Sequence, residues 1–290
     1  MISVIIPTFN SEKYIQKCIL SVLENSYQNF EIIIIDDGST DMTVEIVNSI
    51  NDSRVRLYKQ KRKGPGLARN KGIDFAQGEY LFFLDSDDVI NKSTLELLIN
   101  NIGDNDIIIG DYNIIYDNGM IDIFITPKDC RFNSFFESVT IWNRLYKIDF
   151  IRRNKIRFEQ LYQGEDRLFL ADIYLKKPKF NIINIPVYNW LRHETDIYAT
   201  LTHVKDNTNF DGQVNCMMQF KTKLENNIDK KDKKKLLEHL RYSCVYLLDI
   251  LENSNYDTCD MKKFNIFVKS LKFEDDKELY SKIFKKDVEM

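Results

Sequence analysis

Ile32-Ile33-Ile34-Ile35-Asp36-Asp37-Gly38-Ser39-Thr40-Asp41 joins an unbroken run of β-branched residues to an acidic turn. Four consecutive apolar residues cannot alternate between core and solvent. The run therefore predicts a strand covered on both faces, as in a parallel sheet. Gly38 permits the tight turn that follows, and Asp41 stands where it can cap a helix bearing Val44, Ile46, Val47 and Ile50. Upstream, Ser3-Val4-Ile5-Ile6 reads as a strand that stops at Pro7. Tyr14, Ile15, Cys18, Ile19, Val22 and Leu23 then mark one face of a helix within 11–24. Downstream, 54–58 reads as a strand, 66–76 as a helix, 80–84 as a strand ending at Asp85, and 93–102 as a helix.

Strands alternating with helices imply right-handed crossovers and an α/β fold, with a mainly parallel sheet flanked by helices. Ligands of such sheets bind beyond the carboxyl ends of the strands, where both acidic clusters fall. The alternation weakens after Asp106, with shorter strands expected at 107–115, 121–125 and 182–190. Beyond Asp206 the chain changes character. Leu236, Leu237, Leu240, Cys244, Leu247, Leu248 and Leu251 line one face of a helix over 233–251, and neither Pro nor Gly occurs after Gly212. The expected division is a nucleotide-binding and catalytic domain over 1–205 and a helical region over 206–290.

Hydrophobic residues make up 43% and charged residues 29% of the 290-residue chain, the balance of a soluble globular protein. No apolar run approaches the roughly 20 residues that span a bilayer. The opening segment reads as a strand rather than a signal peptide, so the expected location is the cytoplasm. The five cysteines, at 18, 130, 216, 244 and 259, have no Cys-x-x-Cys spacing, which argues against a disulfide framework or a zinc site. A net charge of −3 gives no electrostatic case for nucleic acid as a partner.

Asp85-Ser86-Asp87-Asp88 sets three carboxylates within four residues at a strand end, where their repulsion calls for a cation or many donors. Manganese or magnesium, completed by substrate phosphates, is a simple remedy; a polar loop capping the next helix is the alternative. Asp36 and Asp37 are a second pair, suited to a base or ribose, though taken alone the plainer reading is a turn and helix cap. Gly64-Pro65-Gly66 precedes Ala68-Arg69-Asn70, so a cation and an amide lie near a helix start.

The order of these segments is more specific than any one of them. A strand leading into Pro7-Thr8-Phe9-Asn10, a strand leading into Asp36-Asp37-Gly38-Ser39, then Gly64 to Asn70, then Asp85-Ser86-Asp87-Asp88 resembles glycosyltransferase family 2 and its GT-A fold. The resemblance is close to about Asn91. It continues in Ile141-Trp142-Asn143-Arg144-Leu145-Tyr146 and Gly164-Glu165-Asp166-Arg167-Leu168-Phe169, reaching about Thr202.

The resemblance implies an inverting transfer from a nucleotide-diphosphate sugar, with UDP the expected nucleotide, to a saccharide or lipid-linked acceptor in bacterial glycan synthesis. It implies that Pro7, Thr8, Phe9, Asn10, Asp36 and Asp37 hold the nucleoside, with Phe9 against the base. By the same carry-over Asp85, Ser86 and Asp88 face the donor, Asp87 ligates manganese or magnesium, and Arg69 and Asn70 steady the donor. Asp166 matches the family's general base, with Glu165 the neighbouring candidate. Arg192 is expected over the diphosphate and His193 at the metal, against the ordinary reading of a lone histidine as surface or core. Trp142 is expected as an acceptor wall or as a core tryptophan.

Lys230, Lys231, Lys233, Lys234 and Lys235 precede the amphipathic helix, and further lysines recur at 262, 263, 269, 272, 282, 285 and 286. They suit peripheral contact with the inner face of the cytoplasmic membrane, while a solvated helix or a homodimer contact is the plainer reading. Two rival functions stand beside glycosyl transfer. A sugar-1-phosphate nucleotidyltransferase should open with a glycine- and arginine-rich loop, which is missing after the first strand. A non-catalytic nucleotide-sugar-binding module has no need of Asp166. A dehydrogenase would need Gly-x-Gly-x-x-Gly after that strand.

Overall fold

The computed structural model describes residues 1–161, 164–192, 207–252 and 258–271. The first half runs β1 (Ile2–Thr8), α1 (Ile15–Leu23), β2 (Phe30–Asp36), α2 (Thr43–Ser49), β3 (Val55–Lys59), α3 (Pro65–Phe75), β4 (Tyr80–Phe83) and α4 (Thr94–Ile102). β3, β2, β1 and β4 lie side by side in that order, all parallel. Every residue of β1 and of β2 is buried, as a sheet covered on both faces requires. Thr8 pairs with Asp36, so the two strands end level and their following loops share one edge. Asp41 stands one residue outside the cap position of α2 and still accepts the Thr43 N–H at 3.0 Å.

The second half runs β5 (Ile107–Tyr116), β6 (Ile121–Phe124), α5 (Arg131–Phe136), β7 (Arg144–Lys147), α6 (Ile148–Arg153), α7 (Glu165–Leu175) and β8 (Phe180–Arg192). It extends the same sheet by a different rule. β7 inserts antiparallel between β4 and β5, β6 returns antiparallel on β5, and β8 joins β5 in parallel. The result is an eight-stranded mixed sheet whose β3-β2-β1-β4 half is parallel. β7 overlaps the stretch 141–146 that the sequence marked only by resemblance; four residues are too few for a period-2 signal to stand out.

α8 (Asn207–Glu225), α9 (Lys230–Glu252) and α10 (Thr258–Ser270) complete the chain. Leu236, Leu240, Cys244 and Leu247 of α9 are buried, as their helical spacing predicts. α8 lies on α7: Phe210, Val214, Cys216, Met217 and Phe220 share one continuous core with Leu168, Phe169 and Ala171. Lys223 of α8 also reaches Glu159 and Asp172, each at 2.8 Å. His193 and Lys272, Lys282, Lys285 and Lys286 lie outside the described residues. Among the described residues no helix is long and apolar enough to cross a membrane.

Candidate active site

The loops after β1 and β2 are fastened to one another. Asn10 takes a left-handed backbone (φ 49°), its N–H donates to Ser39 Oγ at 3.0 Å, and its Oδ1 accepts the Thr40 N–H at 2.8 Å. Asp36 accepts the Ser39 N–H, three residues on, at 3.2 Å, which closes the turn. Asp37 is buried and works on a third loop: Oδ1 accepts Gln60 Nε2 at 2.7 Å and the Lys63 N–H at 2.8 Å, while Oδ2 accepts the Gly64 N–H at 2.8 Å. These bonds order the approach to α3. Arg62, from the same loop, places its guanidinium 3.9 Å from the centre of the Phe9 ring. Pro7 sits within β1, and the buried Thr8 hydroxyl has no hydrogen-bond partner among the described residues. An orphaned buried hydroxyl is costly, and a water or a ligand group would satisfy it.

β4 delivers the acidic loop to the same edge. Ser86 and Ser11 share a hydrogen bond of 2.7 Å, linking this loop to the one after β1. Asp88 is buried and bound at both oxygens by β8, accepting the Leu191 N–H on Oδ1 and the Tyr188 hydroxyl on Oδ2, both at 2.7 Å. The same Tyr188 oxygen accepts the Asp85 N–H at 3.1 Å. Burial first, then the charges of Asp87 and Asp85, push the Asp88 carboxyl well above the usual carboxylate range. The buried Cys18 thiol, which donates to the Asp85 carbonyl at 3.4 Å, is raised by burial and then by Asp88, Asp87 and Asp85. The loop thus carries a concentrated negative field.

Trp142 stacks on Tyr188 with ring centres 4.0 Å apart and is only 6% exposed. Its indole braces the tyrosine that holds Asp88, the core alternative weighed for it in the sequence. Trp190 is half-buried, with Arg192 5.1 Å from its ring centre.

Arg69 of α3 is the hub of the site. Its buried guanidinium donates to Asp85 Oδ1 at 2.7 Å, Glu165 Oε1 at 3.1 Å and Asp166 Oδ1 at 3.2 Å. Burial works against its charge, but Asp166, Asp85 and Glu165 together outweigh that and hold it above its ordinary value. Asn70, beside it, spends its amide on the backbone of Phe158, at 2.8 and 2.9 Å. That tie holds Phe158 where its ring lies 5.5 Å from the Arg69 guanidinium carbon.

Glu165 and Asp166 open α7, where the positive end of the helix dipole favours carboxylates. Burial dominates all the same, and both groups are raised. Asp166 is pushed up to about 8 by burial, with Glu165 and Asp85 adding to the rise and Arg69 opposing it. Gly164 precedes them at φ 80°, and a Cβ there would lie 2.3 Å from Cys216 Sγ on α8. Only glycine meets both conditions, so α8 sets the start of the helix that carries Asp166.

The strand ends thus bring together Thr8, Phe9, Asn10, Asp36, Asp37, Arg69, Asp85, Ser86 and Asp88 with Glu165 and Asp166, which are distant in sequence. Asp87 lies half-buried within the acidic loop. Tyr188, Ser11 and Gln60 were not anticipated as parts of the site. Tyr188 had no signal beyond its place in an apolar run, and the other two are small or neutral residues whose partners are set by docking of loops. Among the described residues no three His, Cys, Asp or Glu side chains converge as a metal cage.

Residues 3–159 match the family model described as "Glycosyl transferase family 2". The chain is 32% identical over 224 residues to glycosyltransferase GlyG of Streptococcus pneumoniae serotype 4, covering 69% of this chain and 73% of that protein. It is 32% identical over 187 residues to an Escherichia coli protein named UDP-Glc:alpha-D-GlcNAc-diphosphoundecaprenol beta-1,3-glucosyltransferase WfgD, covering 63% and 73% of the two chains. Its fold superposes on Staphylococcus aureus TarS residues 1–349, solved in complex with UDP-GlcNAc, with a TM-score of 0.68 and 25% identity over 83% of this chain and 71% of that one.

Proposed function

The chain belongs to glycosyl transferase family 2, and on that premise we propose that it moves a sugar, with inversion, from a UDP-sugar to a hydroxyl of a saccharide or lipid-linked acceptor. The observation that carries the reading is the Arg69 hub, which joins Asp85 of the donor-side loop to Glu165 and Asp166 of α7. The loop proposed to face the donor and the carboxylate proposed as base are thereby tied to one guanidinium. In TarS the bound donor is a UDP-sugar, and WfgD carries UDP-Glc in its name, which supports uridine here.

Phe9 and Thr8 take the nucleoside, with Asp36 and Asp37 shaping the loops around it. Arg62 must leave the Phe9 face that a base would share. Asp85 faces the sugar or ribose. Asp166 accepts the proton of the acceptor hydroxyl as its oxygen attacks the anomeric carbon and the bond to the diphosphate breaks on the opposite face. Glu165 and Arg69 keep Asp166 in position. Arg192 answers the charge that develops on the leaving diphosphate.

The carboxylate field at Asp85, Asp87 and Asp88 fits a divalent cation held by one or two carboxylates and completed by the diphosphate. Asp87 is the ligand proposed from this chain, since Asp85 and Asp88 are engaged by Arg69 and β8. Bound there, manganese or magnesium supplies Lewis-acid stabilisation of the departing diphosphate.

A lipid-linked acceptor places the protein at a membrane surface, and α9 offers a face for it. Tyr242 and Tyr246, one turn apart, are exposed, as are Lys231 and Lys234. Charge reversal at both lysines should abolish salt-sensitive binding to anionic vesicles; unchanged binding would remove that part of the reading.

Thermal-shift and calorimetric titration of nucleotide sugars, with and without manganese, tests donor and metal together. A UDP-sugar should stabilise the protein only with the ion, and Asp87→Ala should remove that dependence. Pyrophosphate release from UTP and a sugar-1-phosphate would instead establish a nucleotidyltransferase.

A further inference from the structure

Arg144 of β7 is the largest fully buried side chain among the described residues, 1% exposed, and it carries a charge. Its Nη2 donates to two main-chain carbonyls, of Phe135 at 2.9 Å and of Ser138 at 3.3 Å. Nε and Nη1 are buried too and have no hydrogen-bond partner among the described residues. The guanidinium therefore touches no carboxylate, and its nearest stacking neighbour is the Phe135 ring, 5.2 Å from the guanidinium carbon. Tying two carbonyls needs two N–H groups and no charge, so a glutamine amide would serve. A cation buried without a touching anion is costly, and its retention calls for a use of the charge itself.

The fold sets that charge beneath the start of α7. β7 runs antiparallel to β4 with Leu145 opposite Phe82, so Arg144 stands at the end of β7 nearer the carboxyl edge of the sheet. Tyr146, two residues on and on the same face of the strand, packs its ring centre 6.1 Å from that of Phe169 in α7. Asp166 precedes Phe169 by about one helical turn, toward the same edge, where it shares Arg69 with Asp85. The step from Tyr146 to Arg144 thus runs alongside the step from Phe169 to Asp166. The two charges act on each other. Against the burial that raises Asp166, Arg69 and then Arg144 are the opposing cations; against the burial that lowers Arg144, Tyr146, Asp166 and Tyr112 hold it up.

We propose that, with Asp166 read as the base, Arg144 is a positioning residue for proton transfer, a second buried cation that acts through Asp166 by favouring its ionised form. Arg69 touches Asp166 but is divided among three carboxylates. Arg144 hydrogen-bonds to none and is fixed by the Phe135 and Ser138 carbonyls, so its field stays constant whatever Arg69 does. The other groups facing Asp166 are Glu165 on its own helix, Asp85 after β4, Tyr146 of β7 and Cys216 of α8. Burial raises Tyr146 and Cys216 and keeps both neutral near pH 8, which leaves Glu165 and Asp85 as the negative charges that the two arginines balance.

Arg144→Gln, which keeps an amide for the two carbonyls, and Arg144→Lys, which keeps the charge, test this through the pH profile of UDP release. The donor is whichever of UDP-Glc and UDP-GlcNAc the protein turns over faster. In Arg144→Gln the kcat/KM midpoint should move from near pH 8 upward by about one pH unit, so that kcat/KM at pH 7 falls about tenfold while the alkaline plateau stays within about threefold. Arg144→Lys should keep its midpoint within about half a unit of wild type. An unmoved midpoint in Arg144→Gln, or an equal shift in Arg144→Lys, makes Arg144 a structural tie and overturns the proposal. Unfolding free energy against pH, with and without Asp166→Asn, reads the same pair without transfer. The part of the curve that depends on Asp166 falls as pH rises to about 8 in the wild type, and in Arg144→Gln the fall should continue to about pH 9. No such extension overturns the pairing of Arg144 with Asp166. An extension in stability with an unmoved kcat/KM midpoint keeps the pairing and overturns Asp166 as the base, and the role in transfer with it.

Discussion

Asp37 and Asp166 are both aspartates at the carboxyl edge of one sheet, and they are held in opposite ways. Asp37 is surrounded by neutral donors, two of them backbone N–H groups of the 63–64 segment, and its work is to order a loop. Asp166 shares a single buried cation with Asp85 and Glu165, and burial raises it into the range where it exchanges protons near neutrality. Neutral donors make a rigid acceptor, whereas a cation spread over several carboxylates makes a poised base. On the proposed roles, the nucleotide side is built for fixed shape and the transfer side for titration.

The contrast breaks most severely at Arg69. Arg69→Met leaves three neighbouring carboxylates without their cation, a change expected to cost about 3–5 kcal/mol of stability and nearly all activity. Chemical denaturation checks the first and initial rates the second. Arg69→Lys should recover part of the stability, since one ammonium cannot span all three partners. If Arg69→Met folds with wild-type stability, the hub does not bind the two halves of the site together.

Gly164 probes the same side through its backbone. Gly164→Ala forces a Cβ toward Cys216 at a positive φ and should cost about 1–3 kcal/mol, with a matching fall in kcat as Asp166 shifts. Adding Cys216→Ala should return part of the loss, because the contact is relieved and the backbone strain is not. No recovery in the double variant would mean that α8 does not set the start of α7.

A pH profile sharpens the comparison. Asp166 acts as a base only when ionised, so kcat/KM should rise about tenfold per pH unit and level off near pH 8. Stability should move the other way. Between about pH 4, where an unfolded aspartate ionises, and about 8, the folded protein holds a proton that the unfolded chain has lost, so stability falls as pH rises through that window. Asp166→Asn should flatten this dependence.

The smallest effect is expected at Asp37. Asp37→Asn keeps the shape but loses charge and acceptor capacity toward Lys63 and Gly64, and should raise the KM for the donor by about tenfold with kcat less affected. A larger fall in kcat than in donor affinity would move Asp37 to the transfer side.

Much of the parallel half could be read from the chain because its signals are local. Ile32 to Ile35 and Leu81 to Leu84 are unbroken apolar runs, and each ends in the carboxylates that mark the edge of the sheet. The transfer side depends on contacts between distant segments. Arg69 and Asp166 lie 97 residues apart, and nothing in the spacing of either indicates which carboxylates the guanidinium will share. Trp142 and Asn70 carried chemistry by residue type, but stacking on Tyr188 and hydrogen bonds to Phe158 make them supports one layer back. A change of composition at Asp206 marked the C-terminal helices correctly as helical, yet gave no sign that α8 seats against α7.

The central claim is that Asp166 removes the acceptor proton while the donor is held elsewhere. Asp166→Asn, measured by donor binding and by single-turnover transfer in the same preparation, tests it most directly. If Asp166 is the base, UDP-sugar affinity stays within about threefold of wild type while the transfer rate falls by 10³-fold or more, to order of magnitude. Transfer at the wild-type rate would contradict the assignment, and loss of donor binding in step with transfer would return Asp166 to the donor site.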